Sequence, residues 1–185
     1  MTSWWWYLSK ASGIVAAVLL VLSMLWGLLF SSRATGKRLR PNWWLALHNW
    51  LGGLALAFIG VHLVAAFFDS NAGIGLTQIL VPGTATGFVW PIAWGVIATY
   101  IFTVVVFSSV NRVKRRLPRR VWHAVHLVSI LAMLFTGLHA YQAGSDAGAP
   151  AYTTLLAVLA GVTIYPLVLR LAGVVSARRD FRASQ

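Results

Sequence analysis

Histidine is the residue type in this 185-residue sequence with the most evident capacity for chemistry. The chain has no cysteine, no glutamate and only three acidic residues, all aspartate. This composition excludes disulfide frameworks, iron–sulfur clusters and thiolate zinc sites, and it argues against paired-carboxylate catalysis. Imidazole is therefore the one strong metal ligand available. The five histidines are His48, His62, His123, His126 and His139.

The spacing of four histidines predicts two sites at different depths. His48 and His62 are 14 residues apart, which on an α-helix is within about 40° of the same face and about 21 Å along the axis. His126 and His139 are 13 residues apart, or about 20 Å. His48 can therefore face His126 at an inner site, while His62 faces His139 at an outer site.

The 13-residue interval has a geometric consequence. On an ideal helix it leaves His126 and His139 about 140° apart, so the sequence predicts a local bend or unwinding, for which Gly137 is the candidate. Using His123 instead gives an interval of 16 residues and an angle of about 160°. His126 is therefore the favoured inner ligand, and His123 is the alternative.

Two imidazoles at each depth favour haem over other metal groups. Structural zinc takes four protein ligands, and non-haem iron needs a carboxylate. Two imidazoles suffice if a planar macrocycle fills the other four positions of an iron, which predicts two haems whose closed coordination favours electron transfer. The competing interpretation is that membrane histidines only form hydrogen bonds between helices, as in a non-redox scaffold or assembly subunit.

The elements that position these histidines are predicted to be membrane-spanning helices. The sequence is 59% hydrophobic and only 10% charged, and a span needs about 20 mostly apolar residues. We expect an all-α integral membrane protein, with five helices bundled around two haems in a single domain over residues 1–175 and a basic tail at 176–185. The predicted spans are 8–30, 43–68, 89–110, 121–141 and 152–171.

The basic residues predict the orientation. The net charge of +12 is concentrated in the first and third loops and at the C-terminal end, so the positive-inside rule places the N-terminus outside and the C-terminus in the cytoplasm. This pattern indicates contact with the lipid bilayer and not with nucleic acid. We expect a multi-pass protein of the cell membrane, typical of a bacterial inner or plasma membrane.

Haem propionates would need cationic partners. On the outer side the one basic residue is Lys10, which we predict to pair with a propionate, with snorkelling to the interface as the alternative. The inner side offers several candidates, and the sequence does not choose among them. These candidates are Arg33, Lys37, Arg119, Arg120 and Arg170.

Two segments resemble the haem helices of the ferric reductase-like transmembrane family. The first is Leu47–Gly52 with Gly60–Leu63, and the second is Arg119–Leu127 with Leu138–Ala140. The intervals of 14 and 13 are those of membrane ferric reductases and NADPH oxidases, and the resemblance extends from Trp6 to about Asp146. It implies that His48 and His126 hold the inner haem b, and that His62 and His139 hold the outer one.

The resemblance also implies a function. The sequence has no Gly-rich dinucleotide fingerprint, so we expect no nucleotide-binding domain of its own, as in short bacterial members that depend on a separate partner. The expected function is to carry electrons from the cytoplasmic side to an outer acceptor, as an oxidoreductase or the haem subunit of one. Similar subunits serve methionine sulfoxide repair. The expected donor is a cytoplasmic flavoprotein or a membrane quinol, and the alternative is a quinol- or small-reductant-linked cytochrome b.

Overall fold

The computed structural model describes residues 3–32 and 41–183, and all regular structure within them is helical. Long apolar runs in which few positions break helix formation account for five membrane-spanning segments, of which the fourth is divided into two helices. Short helices occupy two of the connections. The helices are α1 (Trp4–Ser32), α2 (Pro41–Phe68), α3 (Leu76–Leu80), α4 (Val89–Ser109), α5 (Asn111–Lys114), α6 (Arg119–Leu127), α7 (Ser129–Ala143) and α8 (Pro150–Ala183).

The prediction of five membrane-spanning helices is confirmed. The starts differ from those expected by a few residues, since the first span begins four residues earlier and the last begins two residues earlier. The segment expected to form a basic tail from residue 176 continues the last helix to Ala183. The spans are Trp4–Leu29, Asn42–Phe68, Val89–Ser109, Arg119–Ala143 and Pro150–Leu169.

The bundle consists of two closely packed helix pairs. α1 packs along α2 and α4 packs along α7, while α8 lies mainly against α1. Within the described residues, α2 shares at most marginal backbone contact with α6 and α7. The histidines therefore lie on two separated spans, one formed by α2 and the other by α6 and α7, and each span packs against a helix without histidine, α1 or α4.

The hydrophobic core lies midway between the two predicted sites. Ala55, at its centre, is seven residues from both His48 and His62 and is fully buried. Small side chains let membrane helices approach closely, and none of the large described side chains is fully buried. This layer separates the inner and outer sites. Its buried residues are Ala16, Leu20, Ala55, Ile59, Phe102 and Ala132.

The predicted deviation in the fourth span occurs at Val128, where α6 ends and α7 begins. The N–H of Val128 is shared between the carbonyls of Ala124 (3.3 Å) and Val125 (3.2 Å), and Leu131 donates to the carbonyl of Val128 at 3.0 Å. Such tight turns advance by about 120° per residue, compared with 100° in an α-helix, which moves His126 and His139 towards one face. Gly137 was the wrong candidate, because it lies inside α7.

The α1–α2 pair is joined by polar contacts at both ends. At one end, the indole N–H of Trp26 donates to the Trp44 carbonyl and that of Trp44 to the Trp26 carbonyl, each at 3.1 Å, and the rings stack at 4.1 Å. At the other end, the Ser3 hydroxyl donates to the buried carboxylate of Asp69 at 2.6 Å. These contacts fix the register between the two helices, and thus the depth of His48 and His62.

Candidate functional site

Four histidines form two pairs between the helix pairs. The rings of His48 and His126, the inner pair, have centres 5.8 Å apart and an interplanar angle of 64°. The rings of His62 and His139, the outer pair, have centres 6.1 Å apart and an angle of 80°. The labels inner and outer follow the orientation predicted from the basic loops. The structure thus joins the four histidines in the two combinations that their spacing predicted.

The ring separations suit a metal ion held by one imidazole from each side. Two imidazoles that share an ion through bonds of about 2.0–2.1 Å have ring centres about 6 Å apart. In the described part of the chain, no three histidine or aspartate side chains converge on one point, so neither pair provides the donor set of a structural zinc site. The donors present fit haem iron, for which a macrocycle supplies the remaining four ligands.

Both histidines of the outer pair are oriented by backbone carbonyls. Nδ1 of His62 lies 2.8 Å from the carbonyl oxygen of Ser9 and 3.2 Å from its hydroxyl. Nδ1 of His139 lies 2.8 Å from the carbonyl oxygen of Pro91. Because a carbonyl oxygen can only accept, Nδ1 carries the proton in both rings. Nε2 is then the nitrogen left to bind a metal, as in other histidine ligands with a hydrogen-bonded second nitrogen.

The inner pair is built asymmetrically. Nδ1 of His48 donates to the carbonyl oxygen of Ser23 at 2.9 Å and also lies 3.3 Å from its hydroxyl. Nδ1 of His126 is buried and has no hydrogen-bond partner among the described residues. The ring of His126 instead stacks on Trp122, with centres 5.0 Å apart and an angle of 22°. One inner ring is therefore held by a hydrogen bond and the other by an aromatic face.

The aromatic stack at the inner pair continues towards the basic end of the bundle, which is the end that carries α5 and its arginine and lysine side chains. Nζ of Lys114, on α5, lies 4.0 Å from the ring centre of Trp122. The indole nitrogen of Trp122 is buried without a hydrogen-bond partner among the described residues. Two neighbouring buried nitrogens, Nε1 of Trp122 and Nδ1 of His126, therefore lack partners among the described residues, which is costly in an apolar layer unless a bound group supplies them.

His123, the alternative inner ligand, is placed differently. Its side chain is exposed, and its Nδ1 lies 3.2 Å from the carbonyl oxygen of Arg119 on the same helix. The imidazole facing His48 belongs to His126. The geometry therefore favours the predicted choice of His126, and the assignment of iron ligands stays a prediction.

Only some of the predicted propionate partners lie among the described residues. Lys10 forms an ion pair with Asp146 in the α7–α8 loop, both side chains being 32% exposed, and its Nζ lies 4.8 Å from the Trp6 ring centre. Arg120 is exposed near the start of α6. Arg33 and Lys37 lie outside the described residues, as does the side chain of Arg170. The pairing of Lys10 with a propionate stays a prediction.

Sequence reasoning missed the carbonyls that orient the histidines. Backbone acceptors have no residue-type signature, so Pro91 gave no indication of its role. One signal was present on α1, where Ser9 and Ser23 are 14 residues apart, the same interval as His62 and His48 on the antiparallel helix that α1 covers. A repeat of equal length on two neighbouring spans predicts contacts at matching depths.

Fold and site together define a class: a multi-pass helical membrane protein that holds two imidazole pairs at different depths. The family model described as ferric reductase like transmembrane component matches residues 12–137. The chain belongs to this family, whose members point to a role in membrane electron transfer. The matched segment includes His48, His62 and His126 and ends two residues before His139. No curated protein and no solved structure matches the chain.

Proposed function

We propose that this protein is a dihaem b-type electron-transfer protein that carries electrons from the cytoplasmic side of the membrane to an acceptor on the outer side. The observation that carries the proposal is the pair of facing imidazoles at each of two depths, with ring centres 5.8 and 6.1 Å apart. Bound haem would supply reversible one-electron chemistry. The protein contributes the ligands, their orientation and the apolar surroundings.

The four paired histidines are the proposed axial ligands. His48 and His126 would hold the inner haem, and His62 and His139 the outer one. Polar side chains are costly in the hydrophobic layer and are usually retained there for function. Since both axial positions of each iron would be filled by protein, the sites are suited to electron transfer and not to binding a substrate at the metal.

The layer between the two pairs supports transport across the membrane. The pairs are about 20 Å apart along the helix axes, and the space between them is closed by apolar side chains of α1, α2, α4 and α7. An apolar layer of this kind disfavours the entry of water and ions. The protein would thus conduct electrons without opening a path for ions.

The basic end of the bundle is the proposed side for the electron donor. A groove of about 590 Å³ there contains three arginines and lies next to Lys114, which covers the Trp122 ring stacked on His126. Opposite charge on a partner would accelerate its association with this surface. We infer that the donor is a separate flavoprotein with an acidic docking face. The groove is lined by Val110, Asn111, Arg112, Arg115 and Arg116.

Transport can be measured in sealed vesicles. The purified protein is reconstituted into liposomes with trapped ferricyanide, and dithionite, which does not cross the bilayer, is added outside. The wild type should bleach the ferricyanide much faster than protein-free liposomes do. The His62→Ala variant should be no faster than the protein-free control, and His123→Ala should match the wild type. A wild-type rate equal to that of protein-free liposomes would overturn the proposal.

The nature of the donor is tested separately. The oxidised purified protein is mixed either with a flavin reductase and its nicotinamide nucleotide or with a reduced quinol, and haem reduction is followed by absorbance. We expect the flavoprotein system to reduce the haem. Reduction by quinol alone would overturn the flavoprotein assignment and favour the quinol-linked cytochrome b. Charge reversal at Arg115 and Arg116 should slow the flavoprotein reaction, most strongly at low salt.

A further inference from the structure

A glycine follows each of the three carbonyls that bind a histidine, one helical turn further along the same helix. All three lie on the supporting helices α1 and α4, not on the helices that carry the histidines. We call each combination of such a carbonyl and its glycine a socket. The three sockets are Ser9 with Gly13, Ser23 with Gly27, and Pro91 with Gly95.

Each glycine lies directly against the imidazole that its socket binds. A Cβ atom at Gly95 would be 2.7 Å from Nδ1 of His139. A Cβ at Gly13 would be 3.0 Å from Nδ1 of His62, and one at Gly27 would be 3.2 Å from Cε1 of His48. The absence of a side chain at these three positions is therefore what leaves room for the ring.

Helix geometry explains why the glycine stands four residues after the carbonyl. The carbonyl of residue i accepts the N–H of residue i+4 through one lone pair, and its second lone pair can accept an imidazole N–H. The side chain of residue i+4 borders this second direction, so a Cβ there meets the incoming ring. Helix propensity would favour alanine over glycine by about 1 kcal/mol, and access of the ring to the carbonyl accounts for glycine at all three positions.

We propose that Gly13, Gly27 and Gly95 are positioning residues, whose sockets fix the orientation and the protonated nitrogen of three of the four haem-ligating imidazoles. The inference rests on the proposed haem binding and goes beyond it. A hydrogen bond from Nδ1–H makes the imidazole a stronger electron donor to the metal. The sockets would thus stabilise the ferric state and lower the reduction potential of each haem that they serve.

The fourth position lacks a socket. The two sockets of α1 are 14 residues apart. The same interval on α4, counted from Pro91 and Gly95, ends at Val105 and Ser109. The carbonyl of Val105 instead accepts the hydroxyls of Ser108 (2.9 Å) and Ser109 (2.8 Å). Nδ1 of His126 has no hydrogen-bond partner within the described ranges. The outer haem would therefore be held by two sockets, and the inner haem by one.

The outer sockets are tested with Gly95→Ala, and Gly137→Ala is the matched control because a Cβ at Gly137 meets no atom within 4 Å. In Gly95→Ala we expect the haem content to fall from two towards one per chain, or the outer haem to remain with a raised potential and an altered low-spin ferric EPR signal. The inner haem should keep its potential in both variants, which shows that the protein is folded. Unchanged outer-haem signals in Gly95→Ala would overturn the proposal.

The inner socket is tested with Gly27→Ala, and Gly53→Ala is its control, since a Cβ at Gly53 also meets no atom within 4 Å. Gly27→Ala should raise the potential of the inner haem alone. A change confined to the outer haem, or an equal change in both variants, would contradict the proposed role. Failure of haem binding itself is a separate outcome, because the wild type would then contain no haem, whereas failure of the sockets leaves two unaltered haems in every glycine variant.

Discussion

At the scale of single residues, the hydrogen bonds to Nδ1 explain how a chain with almost no acidic residues can orient metal ligands. A carboxylate is a common partner for the second nitrogen of a ligating histidine, but a carbonyl serves the same purpose. The carbonyls of Ser9, Ser23 and Pro91 do so here. They add no charge to the apolar layer, where a buried carboxylate would be costly.

Lys10 provides a test at this scale. If its ammonium group acts on an outer-haem propionate, the change Lys10→Met should lower the reduction potential of the outer haem, because a nearby positive charge favours the reduced state. The haem content should stay at two per chain. A redox titration followed by absorbance measures the reduction potentials of the two haems in one experiment.

Asp146→Asn is the control for the Lys10 variant. Asp146 pairs with Lys10 in the structure, so neutralising it should raise the outer potential, opposite in sign to Lys10→Met. A Lys10→Met protein that titrates like the wild type would show that the lysine only forms the surface ion pair with Asp146. Such a partly exposed pair contributes little to stability, about 0–1 kcal/mol.

The sequence predicted which histidines face each other, but it did not predict the other groups that the site residues contact. Matching depth paired His48 with His126 and His62 with His139, and the structure brings these rings together. The Lys10–Asp146 pair was not foreseen because it joins residues 136 positions apart. No periodicity on one helix contains information about such a contact.

At the scale of helices, the interruption at Val128 brings two histidines 13 residues apart to one side of a span. The need for a deviation followed from the sequence, but its position did not. Neither glycine nor proline lies next to Val128, so the residue types that usually mark a break gave no signal. The apolar spans themselves were predictable, because a bilayer demands about 20 apolar residues from each helix.

Inserting one alanine between Val128 and Ser129 tests the role of this interruption. The insertion rotates α6 relative to α7 by about 100° and shifts it by about 1.5 Å, which moves His126 away from His48. We expect the haem content to fall from two to one per chain, with the outer haem retained. An alanine inserted after Gly148, in the α7–α8 loop, should leave both haems. Two unaltered haems in the first variant would refute the role of the interruption.

The reciprocal contact of Trp26 and Trp44 makes a prediction about stability. Trp44→Phe removes one indole N–H and leaves the Trp26 carbonyl without that donor, which we expect to lower the free energy of unfolding by about 0.5–2 kcal/mol. The comparison is Trp43→Phe, at a side chain that is 54% exposed, whereas Trp44 is 4% exposed. Thermal unfolding in detergent micelles measures both, and equal melting temperatures would count against the contact.

At the scale of the whole molecule, the protein consists of two helix pairs that share an apolar core, with one pair of facing imidazoles on either side of that core. The helices α1 and α4 provide the sockets, and the helices α2, α6 and α7 provide the proposed ligands. The charge distribution adds a direction, since the basic loop around α5 lies at the end of the inner pair. The proposed direction of electron flow depends on this end facing the cytoplasm.

The orientation can be measured with single cysteines, because the sequence contains none. Ser70→Cys lies between α2 and α3, at the predicted outer end, and Arg116→Cys lies between α5 and α6, at the predicted inner end; both positions are exposed. A membrane-impermeant maleimide added to intact cells should label Cys introduced at position 70 and not at 116. The reverse pattern would invert the topology and the direction of electron flow.

The most direct test of the central claim is a reduced-minus-oxidised absorbance spectrum of the purified protein, combined with a count of haem per chain. Two low-spin b-type haems are expected in the wild type and in His123→Ala, and one in each of His48→Ala and His126→Ala, with the outer haem retained. A colourless protein after expression with ample haem would contradict the account, and so would loss of the inner haem in His123→Ala but not in His126→Ala.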